Sequence, residues 1–181
     1  MRRLLAVGIV VLLVAGSCLA LVACRSDART DPKTSLSTDL ASIKNTDSAA
    51  LELLSEQLSV GDQFGIDSKD LAKAWLSGFT YSTDSFEEYG TSATAKVTVT
   101  SRSLQSAMDK SMPAIGQVMA NPSDDENIEA LYARCGQILL ENLKAEPLAT
   151  TSLVLTYHLV DGKWVMDTQS ERELASVLYS G

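Results

Sequence analysis

The chain has one histidine, His158, among 181 residues, and no Cys-x-x-Cys pair. A single imidazole without acidic residues at ligand spacing argues against a metal centre, so neither metal nor cofactor is expected. No Gly-x-Ser-x-Gly turn is present to set a nucleophilic serine before that histidine. Gly61 and Gly65 precede a helical segment, but the basic residue that a phosphate-cradling loop requires is missing. Basic residues are outnumbered, 15 Lys and Arg against 23 Asp and Glu, for a net charge of −8. That balance argues against nucleic acid as a partner. Internal repeats and low-complexity blocks are also absent.

Charge itself is missing from Leu4 to Ala23, where Val, Leu, Ile and Ala dominate behind Arg2 and Arg3. Roughly 20 apolar residues suffice to span a bilayer, so a transmembrane anchor is one reading. The end of the run favours another. Leu21-Val22-Ala23-Cys24 resembles the bacterial lipobox, and the resemblance implies diacylglyceryl transfer to the Cys24 thiol and cleavage before it. Residues 1–23 then form a lipoprotein signal peptide. Ala15-Gly16-Ser17-Cys18 is a poorer match, lacking the leading Leu. Either reading places the rest of the chain outside the cytoplasm, held to the membrane at its N-terminal end. Paired acyl chains, at about 0.8 kcal/mol per buried methylene, hold firmly where a single chain does not.

Removing Arg2 and Arg3 from the 15 basic residues leaves 13 against 23 acidic, a charge near −10 for the processed chain. Solubility is the plainest role for this acidity. With Cys18 removed and Cys24 acylated, Cys135 is the remaining thiol, and one thiol makes no internal disulfide. The domain must rely on its core, for which about 150 residues suffice.

Residues 24–37 are polar and read as a flexible tether, leaving 38–181 as one domain. Leu40, Ile43, Leu51, Leu54 and Leu58 suit two helices broken near Asn45-Thr46-Asp47. Ser68 is placed to cap a short helix with Leu71, Ala74 and Trp75 on one side. Phe79 to Ser82 and Ala93 to Thr100 alternate as strands, joined through Glu87-Glu88-Tyr89-Gly90. In the second, Ala95, Val97 and Val99 face inward and Thr94, Lys96, Thr98 and Thr100 outward. A helix follows over Leu104 to Met119, with a kink or break expected at Pro113. Ser123 and Glu126 have capping-box form ahead of a helix striped by Ile128, Leu131, Cys135, Ile138, Leu139 and Leu143. Strands on either side of Asp161-Gly162 form a hairpin with a type I′ turn. Glu171 to Tyr179 closes the chain as a helix.

These elements predict an α+β fold: N-terminal helices and a four-stranded antiparallel sheet packed against helices on one face. Their order, with the two hairpins and the Asp161-Gly162-Lys163-Trp164 turn, resembles the cystatin-like, nuclear-transport-factor-like roll. Phe64-Gly65-Ile66-Asp67 followed by Phe79-Thr80-Tyr81 is similar to a family of bacterial lipoproteins of that fold. The superfamily contains binding modules, assembly domains and enzymes, so the fold alone implies no activity.

Tyr81, Tyr157 and Trp164 can line the pocket that such rolls hold between sheet and helices, or fill the core in the ordinary way. His158 belongs on the face opposite Tyr157, and Cys135 reads as a buried, inert thiol. Asp84, Glu87 and Glu88 read as a solvated turn rather than a calcium site. The favoured function is a non-catalytic domain binding an envelope ligand or partner. An enzyme using a pocket carboxylate is the alternative, and a homodimer packed sheet to sheet through the Thr94, Thr98 and Thr100 face is a third reading.

Overall fold

The computed structural model describes residues 31–46, 58, 65–123 and 127–181. The expected signal peptide, Cys24 and the expected helix before Leu58 lie outside these residues.

Helix α1, Pro32–Lys44, begins inside the stretch expected to be a tether. The Asp31 carboxylate accepts from the Thr34 amide at 2.9 Å, and Pro32 occupies the first turn, where its missing N–H costs nothing. Leu36, Leu40 and Ile43 are buried, so the packed domain starts earlier than polarity alone indicated. The helix ends at Asn45, with Thr46 at φ 45°, where the break was expected.

Helix α2, Ser68–Leu76, buries Leu71, Ala74 and Trp75 as their spacing predicts. Its cap is Asp67 rather than Ser68. The Asp67 carboxylate accepts from the Lys69 and Asp70 amides, while the Ser68 hydroxyl donates to the Leu58 carbonyl. Strands β1, Thr80–Tyr89, and β2, Ser92–Arg102, are longer than predicted, so the turn is Gly90-Thr91 alone. The register shifts between Thr83 and Ser85, making Asp84 an extra residue in the edge strand.

Helix α3, Leu104–Ala120, runs through Pro113 without the break that was expected. Pro113 and Asp109, whose carbonyl loses its helical donor, are both exposed, so water can satisfy that carbonyl. Helix α4, Ile128–Ala145, is capped by Asn127, which accepts from the Ala130 amide at 2.8 Å, and not by Ser123. Cys135 and Leu143 are buried, but Ile128 is 65% exposed, so the apolar stripe of α4 meets the core only from its middle onward.

Strands β3, Leu148–Val160, and β4, Lys163–Met166, complete a sheet in the order β1-β2-β3-β4, antiparallel throughout. Asp161 and Gly162 both have positive φ, 51° and 76°, as a type I′ turn requires. Helix α5, Thr168–Ser180, is capped by Asp167. The predicted α+β arrangement is thus the observed one. Ala95, Val97, Val99 and Leu155 point into the helices from one face of the sheet and are fully buried. Each such side chain contributes about 1.5–3 kcal/mol when large and aliphatic. Thr94, Thr98, Thr100, Thr150 and Ser152 occupy the other face and pair across strands: Thr98 with Ser152 at 2.9 Å, Thr100 with Thr150 at 3.0 Å.

Candidate functional site

Helix α1 carries an acid into the core. Asp39 falls between Leu36 and Leu40 on the buried side, 3% exposed, and accepts a hydrogen bond at 3.0 Å from the hydroxyl of Tyr157, itself fully buried on β3. A carboxylate removed from water at this depth needs such donors to persist. More acid stands beside it. Asp167 caps α5 by accepting from the Ser170 amide at 2.6 Å, and its other oxygen lies 3.9 Å from His158 Nε2. One turn into α5, Glu171 is held above the ordinary carboxylate range, first by burial and then by the negative charges of Asp167 and Asp39. A carboxyl group raised in this way, as Glu171 is, holds its proton closer to neutrality than a solvated acid.

The raised Glu171 carries a consequence for stability. Ionisation is harder for it in the folded chain than in the unfolded one, so its charge weakens the fold at neutral pH. That penalty is fully present above its folded pKa and disappears as pH falls through it toward the unfolded value. Glu171→Gln is therefore expected to raise the urea midpoint at about pH 7, with the gain shrinking toward about pH 4. An equal gain at both pH values would assign the effect to packing instead.

The three aromatic residues proposed for a pocket share the sheet's inner face but do not gather around one opening. Tyr157 and Trp164 are core residues, close together where β3 meets β4. Tyr81 stands on β1 opposite Val99, half-buried, its hydroxyl donating to the Ser37 carbonyl at 3.4 Å and its ring tilted against Phe79. His158 is exposed on the outer face, as alternation predicts, and Cys135 is fully buried. Asp84 accepts from Thr98 at 2.7 Å, whereas Glu87 accepts from Tyr89, so the acidic turn does not converge. Among the described residues no group of three or more His, Cys, Asp or Glu is placed to hold a metal.

Sequence reasoning missed Asp39. The available signal was its position: a charged residue three after Leu36 and four before Ile43, inside an apolar stripe rather than opposite it.

A second feature lies at the far end of the sheet. Between α2, α4 and the last residue of β2 is a shallow groove of about 480 Å3 lined by Asp70, Lys73, Ser77, Arg102, Leu140 and Lys144. Arg102 Nη1 donates to the Ser77 carbonyl at 2.7 Å, which fixes the guanidinium against the end of α2. Its Nε is buried with no hydrogen-bond partner among the described residues. Lys73 lies 3.4 Å from Asp70, both more than half exposed.

No family model and no curated protein matches this chain. A solved structure that resembles it is that of YcdA from Bacillus subtilis, described as a candidate lipoprotein, with 17% sequence identity and a TM-score of 0.44. The match covers 81% of this chain and 45% of that protein, so the chain spans less than half of the other's length.

Proposed function

We propose that the chain is a bacterial lipoprotein, acylated at Cys24 and held on the extracytoplasmic face of a membrane, whose α+β domain binds an envelope ligand or partner without catalysis. One observation carries the anchor: Leu21-Val22-Ala23-Cys24 stands directly after an uncharged run that follows Arg2-Arg3. Among the described residues no helix is long and apolar enough to cross a membrane. A roll of the cystatin-like type is the finer reading of the fold, supported by the four-stranded antiparallel order and by α1 packed over the sheet through Asp39 and Tyr157.

The preference for binding over catalysis rests on access. Asp39 and Tyr157 are sealed from solvent, and His158 points away from them on the opposite face. Asp39 is also what favours the second reading, an enzyme using a buried carboxylate, because it supplies the inward acid that such a site needs. That enzyme would require α1 to lift from the sheet before substrate could reach Asp39.

Intact mass of the protein recovered from bacterial membranes tests the anchor. The wild-type chain is expected to start at Cys24 and to carry added diacylglyceryl mass, whereas Cys24→Ser keeps Met1 and gains no lipid. A wild-type chain that itself retains Met1 would make Leu4–Ala23 a membrane span and overturn the lipoprotein reading. Light scattering of the purified protein checks the sheet-to-sheet dimer.

A further inference from the structure

We infer that the groove between α2, α4 and the end of β2 binds a phosphate-bearing anion through Lys73, Arg102 and Lys144. The inference rests on the binding-domain reading above and names the chemistry of its ligand.

The charge distribution is the first argument. In a chain of net charge −8, three cationic side chains from three separate elements line one groove with a single carboxylate, Asp70. Solubility is already served by the acidic excess and gives no reason to collect cations here. Attraction to helix C-termini explains part of the pattern, because Lys73 and Lys144 lie in the last turns of α2 and α4. It does not explain why both groups share a concave surface with Arg102.

Arg102 supplies the second argument. A guanidinium has five N–H donors in a fixed plane suited to phosphate oxygens. Here the Ser77 carbonyl takes a hydrogen from Nη1, and this bond sets the orientation of the plane before any ligand arrives. Among the described residues no acceptor is placed at Nε, so they use only part of the bonding capacity of the group. Among the described residues the Lys73–Asp70 pair is the ion pair at the rim, and exposed pairs of this kind contribute little. An incoming anion can therefore draw on Lys73 at small cost.

The test is calorimetric titration of the full lipidated protein, in zwitterionic detergent at low salt, with inorganic phosphate in one arm and glycerophosphoglycerol, a headgroup diester, in the other. Saturable binding of phosphate is expected, weakened at least tenfold in Lys73→Glu/Lys144→Glu and lost progressively as salt is added. Both substitutions are on helix surfaces, and an unchanged circular-dichroism melt shows that the variant is folded. Arg102→Lys is expected to weaken binding as well, because an ammonium cannot reproduce the planar fork. Phosphate bound well and the diester poorly supports a free phosphate or monoester. Equal binding of both supports the site with a headgroup or polymer as source. No saturable heat in either arm, or equal binding by the charge-reversed variant, overturns the inference. Neither result touches the anchor, which the mass of the Cys24 chain decides separately.

Discussion

Trp75→Ala is expected to cost about 4 kcal/mol of folding stability, the size seen when a large buried aromatic is cut to a methyl group. Trp75 is buried among the core side chains, and its indole N–H donates to the Leu178 carbonyl at 2.9 Å. That bond joins a helix of nine residues to the last turn of α5, across 103 positions of sequence. The substitution would leave a void where α2 meets α5 and would strand the Leu178 carbonyl. Domains of this size have about 5–15 kcal/mol in all, so the variant is expected to be marginal. Trp75→Phe keeps most of the apolar volume and should cost about half as much. Urea unfolding of the three proteins reads both steps, and a Trp75→Ala cost below about 1.5 kcal/mol would show that α2 can collapse onto the sheet unaided.

The second large effect is expected at Tyr157. Removing the whole side chain by Tyr157→Ala should cost about 3–5 kcal/mol, because the ring fills the core between α1 and β3. Tyr157→Phe isolates the hydroxyl. Losing one donor to a buried carboxylate is expected to cost about 1–3 kcal/mol, since the charge of Asp39 is then less well solvated by the protein. Pairing Tyr157→Phe with Asp39→Asn in a double-mutant cycle should give a coupling of similar size. A coupling near zero would mean that the hydroxyl gains its stability elsewhere. The cycle also informs function, because an acid retained for catalysis commonly destabilises the fold that holds it. Asp39→Asn alone should then stabilise the protein, whereas a structural acid should make the same change unfavourable.

Strand alternation and turn chemistry were the most legible features. The inward row Ala95, Val97, Val99 has a period that only a half-buried strand satisfies, and Asp161-Gly162 meets the backbone demand of its turn through the residues themselves. β1 was half-hidden for a physical reason. As an edge strand with Asp84 inserted, it is exposed over much of its length, so burial imposes no alternation on it. Two helix caps differ from those the sequence suggests. Ser68 and Ser123 have capping chemistry, but Asp67 and Asn127 stand where the chain turns into the helix. Pro32 is a start signal inside a polar run whose composition otherwise reads as tether.

The sequence by itself determined the elements whose cause is local: periodic strands and helices, the hairpin turn, and the short lipobox-like segment at Cys24. Those depend on side chains within a few residues of one another. Tertiary structure alone decided that Asp39 meets Tyr157 across 118 positions, that Asp167 and Asp39 both act on Glu171, and that Lys73, Arg102 and Lys144 line one groove. Such groupings arise from the packing of helices on a sheet, which brings together residues that are far apart along the chain.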